Sequence, residues 1–368
     1  MIGLQLSRFG FGACLWLGFM WPACAMPAPA ELYRQLTPMV APLLNDAEID
    51  APGLQVGIVA PGFSGGFGWG SVSHLTARPP QPDDLYEIAS LTKPFVATLA
   101  LQALSAQGIK PQDPVTPCPE GATTALCYQG QAVTWLDLIT HHAALPALPA
   151  NLDPHSWQPT REYRQEQLQD FLAAFRLTAT PGRHFGYSSL GYGILGQRLA
   201  NLQQMPLAQQ LQQLSEDLGL ADTLVYLSPE QRQRLLTGYI RRQPVPPANQ
   251  GDGLIASGGL KASLADLLLW LQHQLGTLPS DWQPAIRHSQ QLSGRNGAPF
   301  CQMALGWQYF WPAGWYWHSG SAPGFKSFMA FDPQKGTAVV ILANAQVTGF
   351  KMEPAGMRIM AWLKGVID

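Results

Sequence analysis

The two ends of the chain and its middle carry different apolar periods. Ala30 to Leu44 places apolar residues at helical spacing, and Leu54 to Ala60 is a short continuous apolar run that reads as a buried strand. Phe63 to Gly70 follows as a Gly-rich, hairpin-like stretch. Near the other end, Lys326–Phe331 and Thr337–Ala343 are apolar runs separated by Asp332-Pro333-Gln334-Lys335-Gly336, turn chemistry that predicts a β-hairpin. Met352 to Val366 then reads as a closing helix. In the middle the periodic segments are helical: Phe95–Leu104, Trp135–Thr140, Glu162–Phe175, Leu190–Leu202, Leu207–Leu214 and Ala265–Gln274. Pro-rich connections such as Pro244–Ala248 join them, and no repeat period is evident. The economical fold class is α+β, with an antiparallel sheet built from both termini, flanked by helices, and a mostly helical domain inserted. That divides the chain into a leader (1–25), a sheet domain (26–93 and 255–368) and a helical domain (94–254), with the site at their junction.

Composition narrows the classes. Of 368 residues, 46% are hydrophobic and only 12% charged, enough for a core and too few charges for a disordered tail or a nucleic-acid binder. The formal net charge is −2, so neither nucleic acid nor an anionic membrane is an expected partner. The expectation is a monomer with at most peripheral membrane contact. Arg8, the apolar stretch Phe9–Trp21, Pro22 and Ala23-Cys24-Ala25 form the three-part pattern of a secretory signal cleaved after Ala25. The apolar stretch is short for a membrane span, and no later segment approaches the roughly eighteen apolar residues a span needs. Export places the mature chain in the periplasm. There Cys118 and Cys127, bracketing a short loop, are expected to form a disulfide, leaving Cys301 as a lone apolar thiol. No second close Cys pair completes a zinc site, so neither metal nor cofactor is expected.

Three short motifs carry the chemistry. In Ser90-Leu91-Thr92-Lys93 a three-residue spacing on a helix puts serine and lysine on one face, about 5–6 Å apart at Cβ. A serine hydroxyl needs a base, and a lysine serves when its surroundings favour the neutral amine. Pro94 belongs in a helix's first turn, which sets Ser90 at the helix start with its N–H free for an oxyanion. About one S-x-x-K match arises by chance in a chain this long. Here, however, Lys93 alone among seven lysines has Ser three places earlier. Tyr187-Ser188-Ser189 lies between the loop Thr180-Pro181-Gly182-Arg183 and a helix starting near Leu190. A Tyr there can pass protons to a leaving group if neighbouring cations favour its anion. The plainer reading is a packed aromatic before a Ser N-cap. His318-Ser319-Gly320, with Ser321 next, lies on a candidate strand before the last hairpin. A bare glycine admits substrate to the strand edge, and Ser321 N–H becomes the second oxyanion donor. The alternative is a surface loop with an incidental His. His141-His142 as a metal pair is disfavoured, since neighbours on a helix point apart. Trp307, Trp311, Trp315 and Trp317 read as core or pocket wall.

Taken in this order, the three motifs resemble those of class C β-lactamases and low-molecular-mass penicillin-binding proteins, S-x-x-K, Y-x-N and K-T-G or H-T-G. The flanks Ile88-Ala89-Ser90, Thr140-His141-His142-Ala143-Ala144-Leu145-Pro146, Trp157-Gln158-Pro159-Thr160-Arg161-Glu162 and Ser257-Gly258-Gly259-Leu260 look like AmpH-type members. The resemblance spans roughly residues 50 to 345. It implies Ser90 as acylated nucleophile, Lys93 as base and Tyr187 as proton relay. Ser189, His318, Ser319 and Gly320 become substrate contacts, and D-Ala–D-Ala-type peptidoglycan peptides or β-lactams the substrates. Two departures stand out. Ser189 replaces the usual Asn, and His318 replaces Lys, so a carboxylate anchor is charged only part of the time near pH 7. No E-x-x-L-N segment supplies a water-activating Glu, which favours Tyr187. An esterase, or a sensor that acylates without turnover, remains open.

Overall fold

The computed structural model describes residues 26–46, 50–246, 250–347, 349 and 351–367. The expected signal segment, 1–25, lies outside the described residues. Helix α1 (Pro29–Leu44), with proline in its first turn, precedes the hairpin of strands β1 (Gly53–Ala60) and β2 (Phe63–Gly70). Six strands near the other end complete one sheet: β3 (Leu292–Asn296), β4 (Cys301–Ala304), β5 (Gln308–Phe310), β6 (Trp315–Ala322), β7 (Phe325–Asp332) and β8 (Thr337–Ala343). The spatial order is β2-β1-β8-β7-β6-β5-β4-β3, antiparallel throughout, so β1 pairs directly with β8, Leu54 opposite Ala343. The α+β class read from the sequence is the class observed.

Both faces of β1 and β8 are covered, so successive residues, which point to opposite faces, are all buried. Leu54, Val56, Ile58, Val339 and Ile341 pack with α1 and the closing helix Met352–Ile367. Val59, Val340 and Leu342 join the second core with the helix Leu264–Gln274. On that face Gly57 has no room for a side chain, because a Cβ would lie 2.9 Å from Leu264 and Leu268. Helices Thr92–Ala106, Ser189–Gln203 and Leu207–Asp217 contribute residues to the same core. Among the described residues no helix is long and apolar enough to cross a membrane. Cys118 and Cys127 are joined in a disulfide, and Cys301 is a buried free thiol.

Several sequence expectations are corrected. The expected helix Glu162–Phe175 is two pieces, Pro159–Glu162 and Gln165–Ala174, parted at Tyr163 and Arg164. The carbonyls of Arg161 and Tyr163 there accept N–H groups of Gly251 and Gly253 at 2.8 and 3.0 Å, so they cannot continue a helix. His141 is off the helix, which stops at Ile139, and sits in the left-handed region at φ +61°. Trp311 is neither core nor wall but 58% exposed, whereas Trp307, Trp315 and Trp317 are buried.

Candidate active site

Ser90 occupies a tight 3-10 turn, Ala89–Leu91, that runs straight into helix Thr92–Ala106. Ala89 is held at φ +48°, a left-handed conformation that costs an alanine on the order of 1 kcal/mol. Among the described residues no backbone acceptor takes the Ser90 N–H. Strand β6 packs against this turn. A Cβ on Gly320 would lie 2.3 Å from the Ile88 carbonyl and 3.1 Å from Ser90 N, so a glycine is the residue that fits. Ser327 on β7 donates to the same Ile88 carbonyl at 2.8 Å, tying the turn to the sheet. Pairing between β5 and β6 ends at Gln308 opposite Trp317, so among the described strands His318–Ala322 presents a free edge beside Ser90.

Lys93 is fully buried, with Nζ 3.0 Å from Ser90 Oγ and 2.7 Å from the Ser257 carbonyl. Burial alone takes its pKa from 10.5 down to about 7. A neutral amine donates one N–H to Ser257 O and offers its lone pair to the Ser90 hydroxyl, the arrangement a general base needs. The rings of Tyr187 and Tyr192 stand 4.9 and 5.5 Å from Nζ.

Tyr187 precedes helix Ser189–Gln203, whose N-cap is Ser188. Its ring is 37% exposed, while its hydroxyl turns inward to a hydrogen bond with Ser90. Burial raises the phenol's pKa, and the bond to Ser90 offsets only part of that. The condition set from the sequence, cations that favour the tyrosine anion, is outweighed by burial, which favours the neutral phenol. The His141 ring lies tilted by 32° against Tyr187, ring centres 4.3 Å apart, and its Nδ1 accepts the Ser188 N–H at 3.1 Å. His142 Nδ1 faces the Thr140 carbonyl at 2.7 Å, so both histidines are engaged with backbone.

The sequence leaves His318 charged only part of the time near pH 7, and its surroundings go further. It is 3% exposed, and its Nδ1 donates to the Ser319 carbonyl at 2.8 Å. Burial first, and the charge of Lys93 second, bring its pKa down to about 3. A partly cationic anchor is thus a neutral imidazole. A cleft of about 250 Å³ opens beside Ser90, lined by Ser189, Ser257, Ser321, Glu87 and Arg161 among others. It joins three of the residues singled out from the motifs. The flanks Ile88-Ala89-Ser90 and Ser257-Gly258-Gly259-Leu260 are singled out from the sequence, but not the roles of two of their residues: the Ser257 carbonyl that reaches Lys93 across 164 residues and the strained backbone of Ala89. Side-chain pattern marks neither, because both act through the backbone.

A buried amine against a serine on a strained turn, faced by a strand edge, is the layout of a serine hydrolase. The chain belongs to the Beta-lactamase family, whose model matches residues 39–361. It is similar to the D-alanyl-D-alanine-carboxypeptidase/endopeptidase AmpH of Escherichia coli K12, 31% identical over 294 residues, 74% of each chain. A beta-lactamase of Providencia stuartii is 25% identical over 357 residues, covering 87% of this chain and 88% of that protein. The fold matches that of a class C beta lactamase from Rhodobacter sphaeroides with a TM-score of 0.76 at 23% identity, over 89% of this chain and 99% of that one. The D-alanine carboxypeptidase AmpC of Burkholderia cenocepacia matches with a TM-score of 0.75 at 24% identity, over 91% and 100%.

Proposed function

We propose that the protein is an exported active-site-serine hydrolase that opens amide bonds of D-Ala–D-Ala-type peptides and β-lactams through an acyl-enzyme. The carrying observation is the buried Lys93 amine 3.0 Å from Ser90 Oγ. Ser90 attacks the carbonyl carbon while Lys93 accepts its proton, and the Ser90 and Ser321 N–H groups hold the oxyanion. Neutral Tyr187 gives its proton to the leaving nitrogen and is reprotonated from Lys93, which completes the relay. Water then attacks the acyl-enzyme as the same groups run in reverse. Ser189, at the start of helix Ser189–Gln203, and Ser319 and Gly320, on the β6 edge, contact substrate. The leader would deliver the mature chain to the periplasm, where the Cys118–Cys127 disulfide persists. The sheet segments 26–93 and 255–368 and the helical segment 94–254 would meet at the site.

One observation favours a second reading. With His318 neutral, nothing at that position grips a carboxylate by charge, so esters compete as a substrate class. Intact-mass analysis and turnover with a β-lactam, a D-Ala–D-Ala peptide and a simple ester decide between them. A mass increment and hydrolysis with the first two, both lost in Ser90→Ala, support the peptidase reading. An increment that persists in Ser90→Ala overturns the nucleophile.

A further inference from the structure

The cleft beside Ser90 is lined by neither Tyr187 nor His318. A leaving group departs toward the proton donor Tyr187, so this cleft receives the acyl half of the substrate. Arg161 and Glu87, both in its lining, form an ion pair in which the Arg161 side chain is only 19% exposed. Among the described residues, protein acceptors engage Nη1 alone, from Glu87 and, at 3.4 Å, from Gln158. Nε is buried without an acceptor, leaving the guanidinium with more donors than the protein satisfies.

Behind it Lys261 sits opposite Glu87 in the short strand pair Leu85–Glu87 and Lys261–Ser263. Lys261 is 4% exposed, and its Nζ has only uncharged partners, the carbonyls of Val225 and Gly259 and the side chain of Gln250, at 3.0–3.1 Å. Glu162, next in sequence to Arg161, is occupied by the Ser156 hydroxyl and does not line the cleft. Burial brings the Lys261 pKa down to about 8, so near pH 7 Arg161 and a mostly protonated Lys261 behind the cleft wall outweigh Glu87 by about one positive charge in a partly desolvated setting. An arginine with spare N–H groups in such a place fits a planar anion.

We propose that Arg161, braced by Glu87 and backed by Lys261, forms an acyl-side subsite for a substrate carboxylate. The enzyme would then select acyl donors that carry a free carboxylate remote from the scissile bond. This rests on the acyl-transfer reading above and names the substrate class of that same site.

The test uses two substrates of equal length, N-glutaryl-D-Ala–D-Ala and its primary-amide analogue, with D-Ala release as readout. The parent should favour the carboxylate by about tenfold in kcat/KM, the scale of one charge-assisted hydrogen bond in a part-exposed site. Arg161→Gln should bring that ratio near one whatever becomes of the absolute rates, and Arg161→Lys should keep part of it. A general structural role would slow both substrates alike and leave the ratio in place. A parent ratio near one, or a ratio unchanged in Arg161→Gln, overturns the subsite. If neither peptide is cleaved, the acyl-transfer reading fails, and calorimetric binding of the two peptides to the parent and to Arg161→Gln still decides the subsite. Tighter, arginine-dependent binding of the carboxylate upholds it, and equal binding removes it.

Discussion

Replacing Lys93 by Met removes a buried amine whose neutrality the fold enforces, and it should stabilise the protein at neutral pH while abolishing acylation. In the folded state the amine titrates at about 7, against 10.5 when exposed. Between those values the unfolded chain holds one proton more than the native one, so native stability rises with pH by about 1.4 kcal/mol per pH unit. Below pH 7 the fold forgoes the whole difference, roughly 4 kcal/mol at neutral pH. Met fills the channel without a titrating group but leaves the Ser257 carbonyl without its 2.7 Å partner, a loss of about 1–3 kcal/mol. The expected net gain at pH 7 is about 1–3 kcal/mol, shrinking and then reversing toward pH 9.5. Urea unfolding of parent and variant between about pH 6.5 and 9.5 measures it. A stability difference independent of pH, or one that favours Met more as pH rises, would refute the reasoning. The same pKa sets activity: about half the amine is base at pH 7, against roughly one part in three thousand for an ordinary lysine. Acylation should therefore climb with pH through about 7 and level off above it.

Gly320→Ala forces a Cβ to 2.3 Å from the Ile88 carbonyl and the Ser327 hydroxyl. It should destabilise by about 1–3 kcal/mol and slow acylation about a hundredfold as the oxyanion donor moves, read by thermal melts and a fluorescent penicillin. His318 is neutral throughout the working range, so carboxylate substrates and esters should share one pH profile through pH 6.5 in the parent. His318→Lys should favour the carboxylate substrates alone, and a parent whose carboxylate turnover falls selectively across that pH would contradict the neutral imidazole. Reducing Cys118–Cys127 should cost about 2–3 kcal/mol, since the loop is short, and leave acylation intact. A larger loss in denaturant titrations would mean the loop supports more than itself.

The parts legible in the sequence were those set by local period. Ser90 and Lys93 meet because three residues of helical chain bring them together, and the hairpin of β7 and β8 follows from two apolar runs around Asp332-Pro333-Gln334-Lys335-Gly336. The α+β class followed from the same runs at both ends. Protonation states were not legible, because they depend on what covers a group. His318 is neutral through burial and the charge of Lys93, and Tyr187 through the burial of its hydroxyl. The break at Tyr163 likewise depends on Gly251 and Gly253, which claim carbonyls that helical spacing alone assigns to a turn of helix. Trp311 reads as core by composition and is exposed, since aromatic identity does not say which side of a turn a ring takes.

The pairing of β1 with β8 also bears on when the enzyme becomes competent. Leu54 finds Ala343 only after almost the whole chain exists, and Ser257 must come round to Lys93 from 164 residues away. Loops of that size close slowly, so a partly synthesised chain can hold its early helices long before the sheet is complete. In such a chain the amine is in water, titrates near 10.5 and stays protonated. On the proposed mechanism the serine would then have no base. Reactivity would arrive with the last closure, and a nascent or misfolded copy would carry the full Ser90-x-x-Lys93 motif yet stay inert toward the acyl donors around it.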